Sequence, residues 1–182
     1  MIGTLAKYLR HRGQDISRFR RAQRGATAVE FALIAPAFIA TLVALLQTGL
    51  FLFAQMALQN AAMDAARLFM TGQAQNNNWS ASTIVTKVCP SALFTCSKMF
   101  VAVQNYSTFA AANTSAPAMY NGTTALTQSS YTYDPGTPGE VMVVQLVYAW
   151  PVLAAPFGFN LANLTGNAAE VMGVSAFRVE PY

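Results

Sequence analysis

The sequence predicts an α+β protein in which a long N-terminal helix, transmembrane at its start and amphipathic beyond, packs on a small antiparallel sheet. Three observations predict it. An apolar run from Phe31 to Ala54 carries no charged side chain; at 1.5 Å per residue it would cover roughly 36 Å, enough to cross a hydrocarbon core of ~30 Å. The next stretch, Gln55 to Met70, keeps helix formers on a helical period, and no proline follows until Pro90. Three later segments rich in Val, Phe, Tyr and Met have the composition of strands.

Composition agrees with a membrane attachment. Of 182 residues, 54% are hydrophobic and only 10% charged, which is apolar for a soluble chain. The net charge of +4 is unevenly spread: residues 1–25 hold Lys7, Arg10, Arg12, Arg18, Arg20, Arg21 and Arg24 against Asp15 alone. The remainder is therefore slightly acidic, which argues against nucleic-acid binding by the folded part. It favours a basic leader, 1–25, kept on the cytoplasmic side by the positive-inside rule. A cleavable secretory signal fits worse, because the small pair Gly25-Ala26 precedes the apolar run instead of following it.

The helix is expected over 26–72, with its membrane span at about 31–54. Ala54, Leu58, Ala61, Ala65 and Leu68 fall on one face with Ala62 and Phe69 beside them, while Asn60, Asp64, Arg67 and Thr71 line the other. Gly72 and the polar run Gln73 to Asn78 supply a stop and a loop. Pro36 is expected to kink the helix. Glu30 stands at the mouth of the apolar run, where a carboxylate costs several kcal/mol unless paired. It therefore reads as a functional residue; the plainer reading seats it at the headgroup level.

Residues 73–182 read as a small α+β domain beyond the membrane. Strands are expected at Lys98–Gln104, Glu140–Trp150 and Met172–Val179. Tyr106 to Gly139, ending in Asp134-Pro135-Gly136-Thr137-Pro138-Gly139, has turn chemistry and reads as loop with a short hairpin. Pro151 to Gly166, with Phe157, Phe159 and Leu161, reads as an apolar surface patch or a short helix against the sheet. Cys89 and Cys96 enclose a short loop with no histidine nearby to complete a zinc site. On the non-cytoplasmic side they are expected to form a disulfide. A free buried pair is the alternative, and a redox-active pair fits poorly without two-residue spacing.

Catalysis finds little support. The single histidine, His11, lies in the leader, and the acidic residues after Gly25 are few and scattered: Glu30, Asp64, Asp134, Glu140, Glu170 and Glu180. No metal cage, paired-carboxylate site or phosphate-binding glycine loop is legible, and neither a cofactor nor a metal is expected. Asn-x-Ser/Thr triplets at Asn78, Asn105, Asn113, Asn121 and Asn163 follow from a segment rich in those residues.

The run Arg24-Gly25-Ala26-Thr27-Ala28-Val29-Glu30-Phe31-Ala32-Leu33-Ile34-Ala35-Pro36 resembles the start of a type IV prepilin. More closely, it is similar to TadE-like pseudopilins of the tight-adherence (Tad, or Flp) pilus system. Their processing motif is a glycine, four variable residues, a glutamate and an aromatic residue, usually Tyr, where this chain has Phe31. Leu58-Gln59-Asn60-Ala61-Ala62 with Asp64-Ala65-Ala66-Arg67 is similar to the same family's helix, and Phe177-Arg178-Val179-Glu180-Pro181-Tyr182 resembles some of its endings. The resemblance implies a pilin-like fold and a substrate in place of an enzyme. It implies cleavage after Gly25 by a prepilin peptidase, exposing the amine of Ala26, and it makes Glu30 and Phe31 assembly residues, Glu30 pairing with the N-terminal amine of a neighbouring subunit. Implied partners are the peptidase, other pilins or pseudopilins, the Tad inner-membrane platform and the lipid bilayer. The protein would lie in a bacterial inner membrane with its C-terminal part periplasmic. A TadF-like component and an uncleaved single-pass periplasmic binding module are the competing readings.

Overall fold

The computed structural model describes residues 23–121, 124–152 and 159–181. The leader up to residue 22, Phe157 and Tyr182 lie outside them, so the expectations placed there have no structural counterpart here. The chain divides into two compact units, one ending at Val43 and one from Ala44 to Tyr182.

Helix α1, Gln23–Met70, runs without a break through Pro36. Its part in the first unit is apolar and exposed: Val29, Phe31, Leu33, Ile34, Phe38 and Ile39 each show more than half of their surface. Such a patch is unfavourable in water and suited to lipid. Thr41 gives its hydroxyl proton to the Ala37 carbonyl at 2.9 Å, which satisfies that hydroxyl within the helix itself.

In the second unit, α1 is followed by α2 (Gln73–Asn76) and α3 (Ala81–Val88). Among the described residues five strands come next: β1 (Met99–Tyr106), β2 (Tyr120–Asn121), β3 (Thr124–Ala125), β4 (Val141–Pro151) and β5 (Ala168–Arg178). β1, β4 and β5 form an antiparallel sheet in the order β1-β4-β5, and β2 with β3 is the short hairpin expected between Tyr106 and Gly139. The register sets Val144 opposite both Val103 and Ser175. As the central strand, β4 is buried on both faces from Val141 to Tyr148. Its period of two sends Met142, Val144, Leu146 and Tyr148 toward α1, and Val147 toward Ala102, Met119 and Tyr131 on the other side.

The helix meets the sheet through Ala54, Leu58, Ala61, Ala62, Ala65 and Phe69. Alanines at this spacing let the backbone approach closely, with Leu58 and Phe69 filling what remains. The buried face differs by one residue from the expected one: Phe69 is fully buried, whereas Leu68 is half-buried. Ala54, expected as the last residue of the span, is itself fully buried on the sheet side.

Three further differences have local causes. Helix α3 was not expected from sequence; Ser80 caps it by accepting the Thr83 N–H, and Ile84 and Val85 anchor its inner face. β5 begins at Ala168, ahead of the expected Met172, because pairing with β4 extends to Pro151↔Ala168. Among the described residues of 151–166 there is no helix; Pro151 ends β4, and Leu164 forms an antiparallel bridge with Ala168.

The outer edge of β1 is closed by Gln128, whose side-chain nitrogen donates to the Val101 carbonyl at 2.7 Å while its oxygen accepts the Val101 N–H at 2.9 Å. Below it, Val103 N–H donates to Thr132 and Asp134 N–H to Val103. An edge strand so occupied offers little backbone for unwanted pairing. Cys89 and Cys96 form a disulfide, joining the end of α3 to the turn before β1.

Candidate functional site

The residues singled out from sequence fall in two places. Gly25, Ala26, Glu30 and Phe31 lie on α1 in the first unit; Cys89 and Cys96 lie in the second. Gly25 is exposed, and a Cβ built on it meets nothing within 4 Å, so the chain's own packing does not require glycine there. Glu30 is exposed as well, and Phe31 shows 73% of its surface. Ala26 is a helical residue. One turn of helix thus presents a carboxylate and an aromatic ring at the mouth of a long apolar face.

A constellation that sequence reasoning missed lies in the second unit, where α1 runs alongside the outer edge of β5. Gln55 donates from its side-chain nitrogen to the Met172 carbonyl at 2.6 Å and accepts the Met172 N–H at 3.4 Å. One helical turn on, Gln59 repeats the pattern with the Val174 carbonyl at 2.7 Å and the Val174 N–H at 3.0 Å. Each amide carries both donor and acceptor, so each replaces one missing rung of a neighbouring strand. Between the two clamps sits Gly173, where an added Cβ would stand 2.2 Å from the Leu58 carbonyl oxygen and 2.9 Å from the Ala62 Cβ. The local signal was present as two glutamines four residues apart on the inner side of an otherwise apolar helix.

An open groove of about 530 Å³ is lined by Asp64, Arg67, Thr71, Gln73, Trp79 and Lys87. The Lys87 ammonium lies 4.2 Å from the centre of the Trp79 ring, a cation–π contact that holds the lysine stem against the surface. Titratable groups are spread out. Burial raises the Glu170 carboxyl, and burial followed by the Glu170 charge raises Tyr131. Burial alone pushes Tyr133 up to about 12, and its hydroxyl donates to the Trp79 carbonyl at 2.6 Å. The Thr137 backbone N–H, then the Asn105 amide, hold Glu140 below the usual range. Among the described residues no three His, Cys, Asp or Glu side chains gather as metal ligands. With both cysteines in the disulfide, what the geometry provides is surfaces and clamps.

These features define the class: a single-pass membrane protein whose long apolar N-terminal helix, with mean hydropathy reaching 2.3 over a window, packs on a small antiparallel sheet. Sequence comparison adds one likeness to a known family. A family model described as TadE-like protein matches residues 25–67, the greater part of α1, and over that segment the chain is similar to that family. No curated protein and no solved structure matches it.

Proposed function

We propose that this protein is a TadE-like minor pilin or pseudopilin that serves assembly of a Tad (Flp) pilus, and so adhesion and surface attachment. The observation that carries this reading is the coincidence of the family match with α1, starting at Gly25. An inner-membrane prepilin peptidase cuts after Gly25, releasing the cytoplasmic basic leader and exposing the Ala26 amine. Glycine at the cut is intelligible on this reading: with no Cβ and open space around it, its backbone lets an enzyme approach closely. Once the helix is packed among neighbouring pilins, the Glu30 carboxylate pairs with the free amine of an adjacent subunit. That pairing offsets the burial of both charges, and Phe31 packs beside it. The role is structural, with the inner-membrane platform and other pilins as partners and the α+β part in the periplasm.

Intact mass of the membrane-extracted protein from its native host, compared with a strain lacking the prepilin peptidase and with Gly25→Ala, tests this reading. A peptidase-dependent species beginning at Ala26 is expected. A leader retained in every background overturns it in favour of an uncleaved anchored module.

A further inference from the structure

We propose that two copies of this chain pair in the membrane through the outer face of α1, parallel and in register, with Asp64 and Arg67 of each copy meeting those of the other. The proposal rests on the membrane anchor of the reading above. It adds a partner, a second copy, and the face that receives it.

In the second unit, the side of α1 turned away from the sheet is marked by Gly49, Phe53, Met56, Asn60, Met63 and Arg67, spaced alternately four and three residues apart and all exposed. A repeat of this period keeps one seam between two parallel helices over several turns. Phe53 and Met56 show 60% and 67% of their surface, and Met63 shows 46%. Lipid accounts for the apolar residues within the span. It does not account for Met63, which stands among the exposed Asn60, Asp64 and Arg67. A protein surface that is itself part apolar and part polar suits that mixture.

Gly49 lies on this seam inside the apolar run. A Cβ built there meets nothing within 4 Å, so the fold of a single chain does not require glycine, although glycine costs a helix interior about 1 kcal/mol relative to alanine. A second helix gives it a use, because small residues let transmembrane helices approach closely. Asn60 stands farther along the same seam. An amide at a seam position pairs with its own counterpart on a parallel helix and fixes the register.

The charges at the outer end of the seam are self-complementary. Asp64 and Arg67 lie three residues apart on α1, yet among the described residues neither side chain has a hydrogen-bond or ion-pair partner. One copy therefore leaves a carboxylate and a guanidinium unpaired on one face. Copies anchored in the same membrane stand parallel and at equal depth, so a two-fold axis along the membrane normal sets like levels side by side. Side chains on a helix lean toward its N-terminus, which brings Arg67 of one copy down to the Asp64 level of the other. A partner of a single charge sign meets one like charge here, whereas a second copy meets both charges with opposites.

The test uses the full chain, purified and reconstituted in phospholipid vesicles at two dilutions, with single cysteines added for oxidative cross-linking. The chain's own two cysteines are joined in the disulfide. Met56→Cys and Asn60→Cys are expected to link into dimers, and Leu50→Cys, exposed on another side of α1, roughly fivefold less. In the Met56→Cys background, Asp64→Arg and Arg67→Asp are each expected to lower cross-linking roughly fivefold. Mixing these two variants restores it, since each carries the charge that the other lacks. Gly49→Leu is expected to lower it as well. Equal linking of Leu50→Cys and Met56→Cys shows random collision and overturns the proposal, as does a mixture that fails to restore what the charge reversals removed. Monomers at both dilutions, in a chain that floats with the vesicles, overturn the pairing and leave the anchor intact. A chain that does not float with them overturns the anchor itself. Formation of the Cys89–Cys96 disulfide, read by mass, confirms folding of each variant.

Discussion

Gly173 lies directly against the backbone of Leu58: a Cβ at position 173 would stand 2.2 Å from the Leu58 carbonyl oxygen and 2.7 Å from its carbonyl carbon. The helix approaches the edge strand as closely as a missing side chain permits, and this approach brings Gln55 and Gln59 within reach of Met172 and Val174 on either side.

Gly173→Ala is therefore expected to force helix and strand apart, since the nearest atoms are backbone and cannot swing away. Overpacking of this kind costs about 1–3 kcal/mol. Gly173→Val is expected to cost more than Gly173→Ala, and the ordering is read from denaturant midpoints of the detergent-solubilised protein. Equal midpoints for wild type and both variants would contradict the close approach.

Loss of a clamp exposes one rung. Gln59→Ala leaves the Val174 N–H and carbonyl without their partner, at a cost of about 1–3 kcal/mol where they stay buried. Hydrogen exchange at the Val174 amide is expected to accelerate roughly tenfold or more, while Gly173, whose pairing is with Leu146 on β4, changes less. Gln55→Ala is expected to act likewise at Met172.

Reduction of the Cys89–Cys96 bridge, which closes a loop with a sequence separation of 7, is expected to lower the thermal midpoint by about 5–10 °C, from the roughly 2–3 kcal/mol that chain entropy assigns to so short a loop. Thermal scans with and without reductant, and of the Cys89→Ser, Cys96→Ser double variant, measure it. The double variant should match the reduced wild type.

Glu170 makes stability depend on pH in a defined sense. Burial raises its carboxyl above the ordinary value of 4.5, so the folded state holds the proton more tightly than the unfolded chain. The resulting stabilisation is full below the unfolded pKa and is lost as pH rises through the raised folded value. Glu170→Gln removes that loss. Its thermal midpoint is expected to exceed the wild type's near about pH 7 and to converge with it near about pH 4. Glu140, whose carboxyl is lowered, titrates in the opposite sense but is common to both proteins and cancels in the difference.

Under the pilin reading, Glu30→Ala is expected to leave cleavage after Gly25 intact and to abolish recovery of the subunit in sheared pili, with Glu30→Asp intermediate. Immunoblots of membrane and sheared fractions read both outcomes. Normal incorporation of the alanine variant would remove Glu30 from assembly.

Much of the fold was legible because it is written in local periods. The apolar run and the alanine-rich face announce α1, and β-branched runs announce β1, β4 and β5, with boundaries displaced by a few residues where pairing extended a strand. Helix α3 could also have been read, from Ser80 as cap and from Ile84, Val85 and Val88 on one side; the surrounding polar residues masked it. The candidate site divides the same way: Gly25, Glu30 and Phe31 form a contiguous motif, whereas the glutamine clamps do not.

By itself, the sequence determined that this chain has a basic first 25 residues, a helix apolar enough to cross a membrane, a stretch from Gly25 similar to TadE-like proteins and two cysteines placed to bridge, because composition, charge and short spacing each act over a few residues. Only the tertiary structure decided that Gln55 and Gln59 close the edge of β5 and that Gly173 must lack a side chain. Those contacts join residues 117 and 115 positions apart. The four-residue spacing of Gln55 and Gln59 marks one helix face, but which backbone edge their amides meet is decided only once the helix has docked.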